Sequence, residues 1–259
     1  MSLAKLHDLH GRVALVTGGS RGLGLQMAEA LGEMGAKVAI TARKAHELEE
    51  ARAHLATLGI EAVPIVCDMG KLDTIPAMIE QVIAACGPID ILVNNAGITW
   101  AAPTAEHTLE GWNKVMNLNL TAVFVATQEV GRRCMLPRKS GKVINIASVQ
   151  GVSGGYPDGL PTIAYNASKG GVVNFTRMLA NEWAASNINV NAIAPGYFES
   201  KMTAHIFETQ HGKTADLCPM KRTGGPEDLK GLTLLLASDA CAYITGQVIA
   251  VDGGLTAVF

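Results

Sequence analysis

Closely spaced cysteines and histidines are missing from this sequence. The five cysteines, at positions 67, 86, 134, 218 and 241, are scattered, odd in number and never form a CxxC pair. Disulfide scaffolds and zinc sites need paired or regularly spaced ligands, so this distribution predicts reduced, structural thiols. The seven histidines are equally dispersed and include no HxxxH pair, and we expect no metal site.

Long apolar runs and an excess of basic charge are missing too. No run approaches the ~18 apolar residues of a membrane span, and the first residues, MSLAKLHDLHGR, lack the apolar core of a signal peptide. A net charge of −2 favours neither nucleic acid nor anionic lipid as a partner. We therefore expect a cytoplasmic protein that binds no nucleic acid and no membrane.

What the chain does have is ample apolar sequence in a regular alternation. Hydrophobic residues make up 48% of the 259 residues, which is enough for a packed core. Short Val-, Ile- and Ala-rich runs, each ending in a polar or glycine-rich turn, occupy residues 12–19, 37–42, 62–66, 89–97, 142–148, 188–196 and 247–254. Amphipathic helical patterns, such as those over 23–34, 44–58 and 71–85, lie between these runs.

Apolar strands without polar alternation are typical of a parallel sheet that is covered on both faces. The alternation therefore predicts an α/β fold in one domain over residues 1–259. We expect a Rossmann-type, doubly wound parallel sheet of about seven strands with helices on both faces. Residues 197–225 break the alternation, and we expect a lid or substrate loop there.

A glycine-rich turn follows the first apolar run. The sequence VTGGSRGLG places Gly18, Gly22 and Gly24 between the first strand and the first amphipathic helix. The missing side chains permit a tight turn and let a phosphate approach the N–H groups at the helix N-terminus. The order of strand, glycine turn, helix and second strand predicts a dinucleotide site.

The second strand ends in ITARKA, in a region where NAD-dependent enzymes commonly carry an acidic residue for the adenosine ribose. Arg43 stands there instead, Arg21 lies within the glycine turn, and this stretch offers no competing carboxylate. Two guanidiniums would bind a 2′-phosphate through charge-assisted hydrogen bonds. We therefore expect NADP (NADPH) rather than NAD as the cofactor.

The stretch PTIAYNASKGG, residues 161–171, places Tyr165 and Lys169 four residues apart, on one face of a helix. A free tyrosine, with a pKa of ~10, is a poor acid–base at neutral pH unless its phenolate is stabilised. A lysine at this spacing is within reach to lower the pKa of the tyrosine. Taken alone, the spacing also fits an ordinary helix turn with a buried tyrosine.

The chain resembles the short-chain dehydrogenase/reductase family over residues 10–255. The motifs that carry the resemblance are TGGSRGLG (17–24), CDM (67–69), NNAG (94–97), NLTAVF (119–124), INIAS (144–148), YNASK (165–169), PGYFESKM (195–202) and ITGQVIAVDGG (244–254). Within the family it is similar to 3-oxoacyl-(acyl carrier protein) reductases and to gluconate 5-dehydrogenase-like sugar-acid reductases.

The resemblance implies four catalytic residues, Asn119, Ser148, Tyr165 and Lys169. Ser148 would bond the substrate oxygen, and Asn119 would hold a water that links Lys169 to solvent. The implied cofactor contacts are Gly18, Ser20, Arg21, Gly22, Leu23, Gly24, Arg43, Asp68, Met69, Asn95, Ala96, Gly97, Tyr165, Lys169, Pro195, Gly196 and Ser200. Asn94 would line the same cleft, while Asp68 also fits an ordinary turn aspartate.

The implied function is an NADP-dependent oxidoreductase that transfers a hydride between nicotinamide and a ketone or secondary alcohol. The substrate would be a small keto or hydroxy acid, a sugar acid or a 3-oxoacyl group. A different possibility is a catalytically silent nucleotide-binding regulator with the same fold. The resemblance also implies a homotetramer, in which the helices after strands four and five pair. The tail GGLTAVF would pack near a neighbouring chain or close its own domain.

Three features bear on the substrate. Two basic positions dock an acidic carrier protein in the carrier-protein reductases, and Arg138 matches one of them, with Arg132, Arg133 and Lys139 nearby. The other basic position aligns with AASN (184–187), which contains no basic residue. Tyr165 lies seventeen positions after Ser148, a longer connection than in most family members, and the extra residues bring Tyr156 and Asp158 towards the pocket. In the lid, His205, His211 and Lys213 would attract a carboxylate.

Overall fold

The computed structural model describes residues 1–155, 159–199, 203 and 213–258. The seven apolar runs form one parallel sheet in the order β3-β2-β1-β4-β5-β6-β7. The strands are β1 (Val13–Thr17), β2 (Lys37–Ala42), β3 (Ala62–Val66), β4 (Ile91–Asn94), β5 (Gly141–Ile146), β6 (Ile188–Pro195) and β7 (Val248–Val251). The predicted fold class is confirmed.

Helices cover both faces of this sheet. The α-helices in the described residues are α1 (Leu3–Leu6), α2 (Gly22–Glu33), α3 (Ala45–Thr57), α4 (Ile75–Cys86), α5 (Leu109–Met116), α6 (Ala122–Val130), α7 (Leu136–Arg138), α8 (Ile163–Trp183), α9 (Lys213–Leu217) and α10 (Lys230–Ala237). One apolar cluster joins the sheet to α2, α3 and α10, and a second joins it to α4, α6 and α8.

Strand β1 shows why its sequence has no polar alternation. Ala14 and Val16 belong to the first cluster, whereas Val13 and Leu15 belong to the second. Since successive side chains of a strand point to opposite faces, a sheet covered on both sides needs apolar residues at every position.

The strand order also locates the site. Strand β1 pairs with β2 on one side and with β4 on the other, so the winding of the chain reverses between β1 and β4. Ligands of open α/β sheets bind in the crevice at the carboxyl ends of the strands, at such a switch point. The glycine turn follows β1, Asn95 follows β4, and Ser148 lies just beyond β5.

A wide turn at residues 117–121 connects α5 to α6. Its hydrogen bond runs from Ala122 N to Asn117 O, which is the i→i+5 spacing of a π-helical turn. Such turns are frequently found at functional sites. Here the turn carries Asn119, which is 0% exposed.

No helix in residues 1–155, 159–199 and 213–258 is long and apolar enough to cross a membrane.

Candidate active site

A cavity of about 410 Å³ opens at the carboxyl ends of the strands. This volume lies within the range of small-molecule sites. The predicted residues in its lining are Gly18, Ser20, Arg21, Gly22, Leu23, Gly24, Arg43, Asp68, Met69, Asn95, Ala96, Gly97, Ser148, Tyr165, Lys169, Pro195 and Gly196. The structure therefore brings together residues from six strand ends and from α8.

Some predicted residues lie outside the described part of the chain. They are Ser200, Tyr156, Asp158, His205 and His211, together with the side chain of Lys213. Of the predicted lid, the structure describes 197–199, residue 203 and 213–225, and Phe198 and Thr203 line the cavity.

The glycine turn has the geometry of a phosphate cradle. Gly18 and Gly22 have φ angles of 66° and 55°, in the left-handed region that favours glycine. A Cβ on Gly24 would lie 2.3 Å from the carbonyl oxygen of Gly18, so the helix start needs glycine there. No side chain caps α2, whose first N–H groups face this turn. The turn and the uncapped helix start fit the pyrophosphate of a dinucleotide.

Thr17 is a site residue that the sequence analysis missed. Its hydroxyl oxygen accepts hydrogen bonds from the backbone N–H groups of Asn95 and Ala96, at 3.0 and 3.1 Å. The Asn95 side chain donates in return to the carbonyl oxygens of Thr17 and Gly18, at 2.9 and 3.1 Å. Thr17 and Asn95 therefore hold the glycine turn against the end of β4. A polar residue ending the otherwise apolar run of β1 was the available signal.

The expectation that no carboxylate competes for the basic residues near the ribose is wrong. Glu47, in the first turn of α3, lines the cavity and accepts from Arg21 Nη1 at 2.7 Å and from Lys44 Nζ at 3.1 Å. Arg43 and Lys44 line the same part of the cavity. Lys44 and Glu47 have the i, i+3 spacing of an ion pair along a helix, but the contact with Arg21 spans 26 positions and has no local signal.

Three of the four predicted catalytic residues, Ser148, Tyr165 and Lys169, line the other end of the cavity, and Asn119 is buried beside them, near Gly97. Tyr165, on α8, lines the cavity together with Ser148. The Ser148 hydroxyl oxygen accepts from Gln150 N at 3.2 Å, so it also caps the turn after β5. Lys169 is 5% exposed and its Nζ donates to the carbonyl oxygen of Ile146 at 2.6 Å.

The protonation of this cluster corrects one expectation. We expected Lys169 to lower the pKa of Tyr165, but burial raises the pKa of the Tyr165 phenol, and the Ser148 hydrogen bond offsets only part of the rise. The Lys169 ammonium lies 5.6 Å from the centre of the Tyr165 ring and is directed at Ile146. Burial lowers the pKa of Lys169 itself to about 8.

The Asn119 side chain makes its hydrogen bonds within the protein. Its side-chain oxygen accepts from Ile98 N at 2.9 Å, and its nitrogen donates to Ile98 O at 2.8 Å and to Ser168 Oγ at 3.1 Å. Both amide N–H bonds are thus used within the protein, and the side chain ties the irregular segment after β4 to α8. The expected water link therefore cannot use the donors of this side chain.

Asn94 and Asp68, two further residues predicted to contact the cofactor, differ in where their side chains lie. Asn94 is 3% exposed and donates to Thr127 Oγ1 and Asn145 Oδ1, both at 2.9 Å, so it joins β4 to α6 and β5 rather than lining the cavity. Asp68 does line the cavity, and it also accepts from Gly70 N at 3.0 Å, as an ordinary turn aspartate would.

The connection from Ser148 to α8 packs tightly on the catalytic helix. A Cβ on Gly151 would lie 2.7 Å from the backbone carbon of Lys169. The Thr162 hydroxyl donates to Gln150 Oε1 at 3.2 Å, and Ala102 N donates to Pro161 O at 2.9 Å. The described part of this connection is therefore tied both to α8 and to the segment after β4.

Arg138 lies at the wrong end of the sheet for the predicted docking. It precedes β5, whose six residues span roughly 20 Å, whereas the cavity opens beyond the last residue of that strand. Its guanidinium pairs with Asp90 Oδ1 and donates to the carbonyl oxygens of Cys134 and Ile89, each at 2.7 Å. Arg138 therefore does not flank the active site of its own chain.

Among the residues that the structure describes, no group of three or more His, Cys, Asp or Glu side chains is placed to hold a metal ion. The switch-point cavity, the phosphate cradle and the tyrosine–serine–lysine cluster define a Rossmann-type nucleotide-binding protein equipped for proton transfer.

The chain belongs to the short chain dehydrogenase family, whose model matches residues 12–211. It is 41% identical over 249 residues to the 2-dehydro-3-deoxy-D-gluconate 5-dehydrogenase of Escherichia coli, covering 95% of this chain and 96% of that protein. A rhamnolipids biosynthesis 3-oxoacyl-acyl-carrier-protein reductase of Pseudomonas aeruginosa is 41% identical over 253 residues, with 95% and 97% covered.

Among solved structures, a gluconate 5-dehydrogenase from Burkholderia cenocepacia in complex with NADP and tartrate is 35% identical, with a TM-score of 0.91 and 99% of both chains covered. The family predicted from the sequence motifs is confirmed.

Proposed function

We propose that the protein is an NADP-dependent oxidoreductase that interconverts the ketone and secondary alcohol of a small sugar acid or related keto or hydroxy acid. The observation that carries this proposal is the convergence of Ser148, Tyr165 and Lys169 on a cavity that the glycine turn also lines. Named dehydrogenases and reductases among the relatives support it. Neither the geometry nor the relatives favour the catalytically silent regulator.

The proposed roles follow from where each group lies. When bound, the nicotinamide supplies or accepts the hydride. In the reducing direction the Tyr165 phenol donates its proton to the substrate oxygen, and Ser148 holds that oxygen by a second hydrogen bond. Lys169 is the nearby proton reservoir, since a pKa of about 8 lets it both hold and release a proton near neutral pH. In the oxidising direction the proton returns along the same path.

A small acid fits better than a carrier-bound acyl group. Carrier docking needs free cations near the mouth of the active site, but Arg138 lies at the opposite end of β5. Arg132 and Arg133 both pair with Glu129, and Arg133 also pairs with Glu80, so two carboxylates compensate these two cations. The 3-oxoacyl reading remains the second candidate because one relative is named as such a reductase.

The test is a spectrophotometric panel of keto-sugar acids, small β-keto esters and 3-oxoacyl thioesters, run with NADPH and NADH. We expect turnover of a keto-sugar acid with NADPH and little with 3-oxoacyl thioesters. Tyr165→Phe is expected to lose roughly 10²–10⁴-fold in kcat while still binding NADPH. Preferred reduction of thioesters would replace the substrate assignment, and a fully active Tyr165→Phe would remove the proton-transfer role.

We also propose that the protein acts as a homotetramer in the cytoplasm, with residues 197–225 as its substrate lid. Phe124 on α6 and Met178 on α8 leave 47% and 59% of their surface exposed in the single chain, which supports pairing of these helices. In the C-terminal tail, Leu255 is buried within its own chain, whereas Val258 is 57% exposed. The five free cysteines are compatible with a reducing compartment.

A further inference from the structure

The adenosine end of the cavity contains a carboxylate among its cations. Glu47 Oε1 accepts from both Arg21 Nη1 and Lys44 Nζ, at 2.7 and 3.1 Å. The Glu47 side chain is 17% exposed, whereas those of Arg21 and Lys44 are about half exposed, at 48% and 52%. A single oxygen of the carboxylate therefore lies where two cations of the cavity lining converge.

We propose that Glu47 is an internal counter-ion that occupies the place of the 2′-phosphate in the free protein and sets the selectivity between NADP and NAD. The inference rests on the proposed use of NADP. Glu47 makes no expected attractive contact with the cofactor, yet in this proposal it controls the affinity of the protein for the cofactor.

The first reason is competition for the same donors. A 2′-phosphate is recognised through charge-assisted hydrogen bonds from guanidinium and ammonium groups. Arg21 and Lys44 already donate to Glu47. To bind, the 2′-phosphate must accept hydrogen bonds from Arg21 and Lys44 in place of Glu47. The Glu47 carboxylate then either rotates away from these cations or stays next to the phosphate.

The second reason is charge. Arg21, Arg43 and Lys44 line this end of the cavity with three positive charges, and Glu47 cancels one of them. A phosphate monoester carries roughly −1.5 to −2 at neutral pH and is repelled by a neighbouring carboxylate. NAD has a hydroxyl at that position and meets no comparable repulsion. Glu47 therefore weakens the binding of NADP more than that of NAD, and it neutralises clustered cations while the site is free.

The experiment compares two probes that differ by the 2′-phosphate alone, adenosine 2′,5′-bisphosphate and adenosine 5′-monophosphate. Their dissociation constants are measured by calorimetry on wild type, Glu47→Gln and Glu49→Gln. Glu49→Gln is the matched control because it removes the same charge from the same helix, at a residue that pairs with Arg52 instead. Circular dichroism melts verify that each variant is folded.

We expect Glu47→Gln to bind the bisphosphate roughly 5- to 10-fold more tightly, the effect of about 1 kcal/mol, with the monophosphate within twofold of wild type. Glu49→Gln is expected to change neither constant. Unchanged or weaker bisphosphate binding in Glu47→Gln would overturn the proposal, the weaker result meaning that Glu47 orients the cations for the phosphate.

A different result would contradict the proposed preference for NADP. That preference is wrong if the wild-type protein binds the bisphosphate and the monophosphate equally and oxidises NADH as fast as NADPH. A gain in bisphosphate affinity in Glu47→Gln would support the counter-ion role even then.

Discussion

Lys169 is a lysine whose side chain is almost completely buried, at 5% exposure, and this burial has a cost in folding free energy. Its ammonium has the carbonyl oxygen of Ile146 as a partner at 2.6 Å, and burial lowers its pKa to about 8. A lysine in the unfolded chain keeps its ordinary pKa of ~10.4. Folding therefore penalises the charged form, and this penalty is the cost of a proton reservoir inside the cavity.

This penalty gives a pH-dependent prediction for the free protein. Below the folded pKa of about 8 both states hold the proton and the penalty is complete, at roughly 3 kcal/mol. Between that pKa and ~10.4 the unfolded state binds more protons, so the contribution of Lys169 to the unfolding free energy rises with pH. Lys169→Met removes this rise.

We expect the stability of Lys169→Met relative to wild type to be highest at about pH 7 and to fall towards about pH 10. Urea unfolding at both pH values measures it, and the exposed Lys71→Met is the control with no such trend. A relative stability of Lys169→Met that is the same at both pH values would contradict the assigned burial penalty.

At the scale of elements, the catalytic helix α8 depends on close backbone contact with the segment after Ser148. Gly151 has room for no side chain, because a Cβ would lie 2.7 Å from the backbone carbon and 2.8 Å from the backbone oxygen of Lys169. Gly154, in the same connection, has nothing within 4 Å of an added Cβ. The two glycines therefore form a matched pair.

We expect Gly151→Ala to lose about 1–3 kcal/mol of stability and to lower kcat, since the strain falls on the backbone that carries Lys169. Gly154→Ala is expected to behave like wild type. Denaturant unfolding and NADPH oxidation with the best substrate measure both effects. Equal behaviour of the two variants would mean that the connection adjusts freely and does not position α8.

For the whole molecule, the exposed apolar residues of α6 and α8 lie on the layer opposite to α3. If that layer is the tetramer interface, a charge at Phe124 opposes association, because it must be buried there. Light scattering is expected to give the mass of four 27.1 kDa chains for wild type and a smaller mass for Phe124→Lys.

The control for this measurement is Leu58→Lys. Leu58 follows α3 on the other layer and is 45% exposed, close to the 47% of Phe124. It is expected to keep the wild-type mass. A tetramer in Phe124→Lys would place the interface elsewhere, and a monomeric wild type would refute the proposed assembly.

Local patterns predicted most of the fold. The seven strands lie within or one residue beyond the apolar runs, because burial on both faces imposes an unbroken apolar sequence. The predicted cofactor contacts that the structure describes mostly line the cavity. Apart from Tyr165 and Lys169 on α8, these contacts follow strands, and the carboxyl ends of parallel strands share one edge. Asn94 is an exception among the described residues, because a side chain at the end of a strand can point between strands instead.

The sequence by itself determined the family, the winding of the sheet and the set of residues brought to its carboxyl edge, since these depend on periodicity and on motifs a few residues long. Only the tertiary structure decided how those residues are used. It paired Glu47 with Arg21, turned Lys169 to Ile146, bound the side chain of Asn119 to Ile98 and Ser168, and placed Arg138 at the far end of β5. Such contacts join distant segments, and their energies depend on burial and direction, which no local pattern records.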